Sequence, residues 1–450
     1  MTPSAELDNP FLLARELEGT CRSYLEKVQA LPGRNLGFHF SGKKAELEWS
    51  SKSRYDAVRG LRDDEPLKGA LLRWVHRLTE MRVNQPWLVE DERLYRTVPH
   101  LVRAPSEQRV TLHAMKVQVL ASSPRESKIW WNNVAASGAA LAAHRAEYLQ
   151  RCAEVHARLG ETDTLGYFSP DVSRLPVTEL VQSQRGRLWE LVQASGARCF
   201  FDLMTLGLGS EQTDGWPARL APDSMLRMFS APELFRGIDL KPGPLPERLV
   251  PASFARAAYQ VGRALSLAWT PKDRPFVLLR DVDDLAGHRL GYLFVLWWGS
   301  SVFDEKVLGL GRSAARERRR SASKMILSLL AQQCLRVLFY ERALSHRVQD
   351  EELGDVAREL LPFSEALLPS AALSWWTMRR DEVVRFYALL DAAAFYRDWV
   401  EEYDEDWLRS PRALQRLRAE GSLPAPIHVE RERIERGYRA LLDSVSEDLS

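Results

Sequence analysis

The sequence predicts a mainly α protein, a large multi-helix molecule with one small β-hairpin near the N-terminus. Three observations carry this expectation. Apolar residues recur every three or four positions through most of the chain, as in Leu67, Leu71, Trp74, Leu78 and Met81, which is the period of one helical face. The regular strand-helix alternation of a doubly wound sheet is missing. There is also no repeat at a fixed period, which sets a solenoid aside.

The elements can be justified in order. In "DNPFLLARELEGTCRSYLEKVQALPG", Asn9 can cap and Pro10 suits the first helical position, with Leu13, Leu17, Cys21, Leu25 and Val28 along one face. "NLGFHFSGKKAELEWS" alternates instead, placing Leu36, Phe38 and Phe40, then Ala45, Leu47 and Trp49, on either side of a Ser-Gly-Lys-Lys turn. This reads as a β-hairpin over 36–49. "DEPLKGALLRWVHRLTEM" returns to helical spacing. Further helices are predicted over 106–122, 126–159, 177–195, 251–268, 313–345, 350–361, 370–402 and 427–446. Glycines and prolines such as Gly207, Gly215, Pro222, Pro232 and Pro244 punctuate the stretch between. The expected organisation is an N-terminal helical half (1–204), a Pro/Gly-rich connection (205–250) and a C-terminal helical half (251–450).

Composition bounds the function. Of 450 residues, 45% are hydrophobic and 27% charged, as in a packed globular chain, and the formal net charge of +1 means that any nucleic-acid surface must be local. Cys21, Cys152, Cys199 and Cys334 lie too far apart for a zinc knuckle and suggest buried thiols in a reducing compartment. The first residues lack the charged-then-apolar order of a signal peptide. The apolar run from Leu290 to Trp298 falls well short of the roughly 20 residues that span a bilayer. A cytoplasmic protein without a membrane span is expected.

Catalytic motifs are sparse. A zinc peptidase helix needs two histidines one turn apart and a glutamate beside the first, but none of the nine histidines has another four residues later. A di-iron bundle needs Glu-x-x-His pairs, and no histidine has glutamate three residues before it. His144 and Glu147, like His76 and Glu80, read as solvated helix faces. "LGLGSEQTDG" and "LGLGR" lack the third glycine of a dinucleotide fingerprint, and there is neither a phosphate-binding loop nor a nucleophile elbow. The cysteines carry no nucleophile signature. The expectation leans against an enzyme, with no cofactor and no metal.

Two other features stand out. Arg312, Arg316, Arg320 and Lys324 are four apart on one helical face, where they oppose the macrodipole. Internal pairing with the acidic run from Asp398 to Asp406, or plain solvation, is the favoured reading, and an anionic partner such as nucleic acid the alternative. The pairs Trp130-Trp131, Trp297-Trp298 and Trp375-Trp376 place neighbours about 100° apart on a helix. Some of these rings are therefore expected at a cleft or contact surface, with wide burial the competing reading.

Two stretches resemble one family. "AHRAEYLQRCAEVHARLGETDTLGYFS" is similar to a long helix and leucine-glycine-tyrosine turn in thimet-oligopeptidase and oligoendopeptidase-type zinc metallopeptidases. "DDLAGHRLGYLF" resembles their zinc helix, with His288 at the first ligand position and Gly291 at the helix glycine. Arg289 departs at the catalytic glutamate and Tyr292 at the second ligand; Glu317 falls in the window of the third. The resemblance implies a large helical fold with a peptide-binding channel and a degenerate site at His288, Arg289 and Tyr292. The function expected is a non-catalytic peptide- or protein-binding protein, a pseudopeptidase lacking the zinc site. The alternatives are an enzyme with a non-motif active site in a helical cleft, and an anion- or nucleic-acid-associated protein using Arg312 to Lys324.

Overall fold

The computed structural model describes residues 9–30, 40–61, 65–101, 109–121, 124–160, 177–206, 216–217, 220, 232–235, 249–271, 273–280, 282–345, 350–364, 381–421 and 430–450. The molecule is mainly α. Asn9 caps the first helix, its Oδ1 accepting the Phe11 N–H at 2.9 Å, and Pro10 opens it. Helices α1 (Pro10–Thr20), α2 (Arg22–Ala30), α3 (Lys44–Trp49) and α4 (Lys52–Arg59) lead into the long α5 (Glu65–Arg96). The stripe Leu67, Leu71, Trp74, Leu78 and Met81 of α5 is buried, as its spacing predicts.

The hairpin expected over 36–49 is corrected in its second arm, which is α3; residues 31–39 lie outside the described residues. The reason is a side-chain cap. The Glu46 carboxylate accepts the backbone N–H groups of Ser41 (2.6 Å) and Gly42 (2.8 Å) and the Ser41 hydroxyl (2.9 Å). Those contacts satisfy donors that would otherwise be orphaned ahead of a helix. The Ser-Gly segment therefore starts a helix, with Gly42 at φ +75. A small hairpin does occur near the N-terminus, later in the chain. Strands β1 (Pro99–Leu101) and β2 (Arg109–Thr111) pair antiparallel with Pro99 opposite Thr111.

Helices α6 (Leu112–Ala121), α7 (Pro124–Ser137), α8 (Ala139–Leu159), α9 (Val177–Ser183), α10 (Arg185–Ala194) and α11 (Phe200–Thr205) follow. The remainder comprises α12 (Pro232–Phe235), α13 (Pro251–Trp269), α14 (Phe276–Leu279), α15 (Leu285–Trp298), a π-helical turn (Phe303–Val307), α16 (Arg312–Ser345), α17 (Asp350–Leu360), α18 (Asp381–Tyr403), a 3-10 turn (Trp407–Arg409), α19 (Pro411–Gly421) and α20 (Arg431–Leu449). Among the described residues no helix is long and apolar enough to cross a membrane.

Among the described residues three apolar clusters hold these helices together, and two of them draw on both sides of the 205–250 connection. Phe276 and Val277 of α14 complete the cluster of α1, α4 and α5, where Trp74 Nε1 donates to the Arg280 carbonyl at 2.9 Å. Leu285 and Tyr292 of α15 join the largest cluster, with α6 to α11, α16, α18 and α20. Helix α15 is flanked by α13 and α18, so it is apolar nearly all round. Trp297 and Trp298 are consequently both 2% exposed, and neither lines a surface. Trp375 and Trp376 lie outside the described residues.

Candidate functional site

The resemblance centres on α15, and its start explains the sequence there. Asp284 precedes the helix in the left-handed region at φ +51, where aspartate is among the better-tolerated non-glycine residues. Its carboxylate is held by Arg263 of α13, with Nε 2.9 Å from Oδ2. A Cβ on Gly287 would meet that carboxylate at 2.2 Å, so any larger residue at the third helical position would displace Asp284 from Arg263. Gly291, the helix glycine of the motif, also serves packing. Gly262 and Gly291 cross backbone to backbone, and a Cβ on Gly262 would lie 2.5 Å from the Leu290 carbonyl oxygen. One on Gly291 would lie 2.8 Å from that of Tyr259.

This crossing places His288 in the packed core, 2% exposed. A hydrogen bond joins its Nδ1 to the Tyr259 hydroxyl, and the two rings stack at 27°. Burial, then the positive charges of Arg263 and Arg385, hold His288 well below the usual histidine range, so it is neutral. Tyr292 lies beside Tyr259, with ring centroids 4.9 Å apart. Burial pushes its phenol up to about 12, so it keeps its proton. The neighbouring Glu382 is engaged by Arg336 at 3.0 Å and Arg385 at 3.4 Å.

Arg289 points elsewhere. Its Nη1 lies 3.5 Å from Oδ2 of the fully buried Asp391 on α18, and its guanidinium sits 5.3 Å over the Phe395 ring. Arg433 of α20 pairs with the other Asp391 oxygen. Arg289 therefore ties α15 to its neighbours rather than facing the environment of His288. Glu317, in the window of the third ligand, is exposed on α16.

These residues do not fit a zinc ion. The first-ligand imidazole already bonds Tyr259, the second position is a protonated phenol, and the carboxylates nearby, Asp284 and Glu382, are engaged by Arg263, Arg336 and Arg385. Among the described residues, no cluster of three or more histidine, cysteine, aspartate or glutamate side chains is arranged to hold a metal.

A second place has the geometry of a binding site. A cleft of about 790 Å³ opens where the C-terminal end of α15 meets α16, α18 and α20, within the usual range for ligand pockets. From His288 to Gly299 is 11 residues, so the cleft lies about 16 Å along α15 from the motif. Ser323 is buried at its wall and donates to Asp448 at 2.5 Å, with Arg319 3.9 Å from the same carboxylate. Ser301 donates to Glu405, and Tyr396 hydrogen-bonds Ser300 while burial raises its pKa. Hydroxyls and both signs of charge thus converge on one concave surface.

Other sequence candidates resolve as structure. His76 and Glu80, expected on a solvated face, are buried at 1% and 2% exposure. Glu80 accepts from Tyr148 at 2.8 Å and pairs with Arg77 at 3.1 Å. His144 is buried too, its Nε2 2.9 Å from the Trp87 carbonyl oxygen, whereas Glu147 and Arg151 form the expected surface pair at 3.3 Å. All four cysteines are buried and none forms a disulfide. Sequence reasoning missed Tyr259, Arg263 and Asp391. The spacing of Tyr259, Gly262 and Arg263 on one face of α13 was the available signal for the first two.

No family model and no curated protein matches the chain. Solved structures do. PZ peptidase A, solved with an inhibitor, superposes at TM-score 0.55 with 11% identity, over 90% of this chain and 86% of that one. A protein from Chlamydophila abortus described as a peptidase reaches 0.51 with 12% identity, over 90% and 81%. Oligoendopeptidase-F from Enterococcus faecium stands at 0.47 with 9% identity, over 99% and 98%. The first two show that the chain has a fold similar to peptidases, as the resemblance of its two stretches implies.

Proposed function

We propose that this protein is a non-catalytic, peptidase-like binding protein that takes a peptide, or an extended segment of a partner protein, in the cleft between α15, α16, α18 and α20. The observation that carries the reading is the packing of His288 against Tyr259, with Arg289 turned away to Asp391. A peptidase scaffold whose motif positions serve the core has no residue there to activate water. A cytoplasmic setting accords with four buried cysteines that form no disulfide.

Equilibrium dialysis against a mixed octapeptide library, read by mass spectrometry, tests both halves. The reading predicts retained, uncleaved peptides and loss of retention in Ser446→Trp, which fills the cleft. Turnover that survives repurification and disappears on mutating residues near 288 contradicts the non-catalytic half. No retention at all contradicts the binding half.

A further inference from the structure

Arg312, Arg316 and Arg320 are exposed, and Lys324 is half-buried, along the first half of α16. The acidic run that could have neutralised them is committed elsewhere. Asp398 pairs with Arg436 at 2.8 Å, Glu401 with Arg397 at 3.2 Å and Asp406 with Arg409 at 3.5 Å. Glu402 pairs with Arg416, and Glu405 accepts from Ser301. The cations of this helix start that do find acids are Arg318, with the buried Asp304, and Arg319, with Asp448. Among the described residues, no acid lies within ion-pair distance of the other four.

We propose that this face binds the phosphate backbone of nucleic acid without regard to sequence. Four residues of helix rise about 6 Å, so the cations form a stripe about 18 Å long, suited to a linear polyanion. Three of the four are arginines, whose planar fork matches phosphate oxygens. Arg312, in the first turn of α16, faces the positive end of the macrodipole, and bound phosphate would offset that local cost. Glu317 is the acid exposed beside them. The stripe is also held firmly, because Arg318 pairs with Asp304 and donates to the Trp298 carbonyl at 2.6 Å, fixing the start of α16 against α15.

An acidic protein is the less favoured partner. Protein interfaces draw most of their energy from a buried apolar or aromatic anchor. The exposed large apolar residues of the described chain are Phe11, Leu12, Leu47, Val89 and Ile129, none of them on α16. Backbone binding to nucleic acid requires no such anchor.

Fluorescence anisotropy with a labelled 20-base-pair duplex of arbitrary sequence tests the proposal. Binding is expected at 50 mM salt. Three to four phosphate contacts predict affinity falling roughly 40- to 150-fold by 200 mM salt. Arg316→Glu with Arg320→Glu should weaken binding at least tenfold while leaving the melting temperature unchanged. If that pair unfolds the protein, the singly neutralised Arg312→Gln and Arg320→Gln should each flatten the salt dependence. Absence of binding at 50 mM salt, or binding indifferent to these variants, overturns the proposal. So does equal competition by polyglutamate at matched charge, which would favour an acidic protein. None of these outcomes bears on the peptide cleft, which is assayed separately.

Discussion

The hydroxyl of Tyr259 meets Nδ1 of His288 where α13 crosses α15, and this contact makes the histidine part of the core. It has a consequence for pH. The folded protein keeps His288 neutral, whereas the unfolded chain protonates it below about pH 6.5. Folding stability should therefore fall as pH drops below that point, by up to about 1.4 kcal/mol per pH unit, and be indifferent to this group above it. Denaturation midpoints of the protein and of His288→Gln between pH 5 and 8 measure the difference. A difference that does not change with pH contradicts the assignment.

The glycine crossing predicts a contrast between alanine substitutions. A Cβ at Gly262 or Gly291 would approach backbone atoms to under 3 Å, so each alanine variant should lose about 1–3 kcal/mol, the usual cost of overpacking. Gly186 in α10 has nothing within 4 Å of its Cβ position. Gly186→Ala should be neutral or stabilising by up to about 1 kcal/mol. Urea denaturation of the three variants checks the ordering, and equal effects at all three would contradict the close crossing.

Rebuilding the metallopeptidase motif should fail. Arg289→Glu with Tyr292→His writes His-Glu-x-Gly-His into α15. The new glutamate would approach the buried carboxylate of Asp391, which now faces Arg289 and Arg433. Breaking a buried ion pair in this way costs about 3–5 kcal/mol. The expected result is a destabilised protein with no peptide hydrolysis in zinc-supplemented buffer. A stable variant that hydrolyses peptides would show that the scaffold retains a working site.

Much of the fold is legible in the sequence because helices announce their own ends and faces. Asn9-Pro10 marks the start of α1, and α13 and α16 begin and end within a residue of their predicted limits. Legibility fails where a third element decides. A stripe analysis of α5 finds the face toward α1 and α4, but α8 packs on another side, which is why His76 and Glu80 are buried. Helix α3 depends on the Glu46 carboxylate folding back onto Ser41 and Gly42, a contact that three alternating apolar residues outweigh in a period count. At the candidate site, the sequence displays His288, Arg289 and Tyr292 as a motif. It does not display Tyr259, 29 positions earlier, or Asp391, 102 positions later, which decide what those residues do. The cleft is assembled from the ends of separate helices and has no local signature at all.

Zinc content tests the central claim most directly. Elemental analysis of chelator-free purified protein, set beside His288→Ala, should show no stoichiometric zinc in either, because Tyr259, protonated Tyr292 and the nearby arginines leave no dication site at the motif. About one zinc per chain, lost in His288→Ala, would contradict the account.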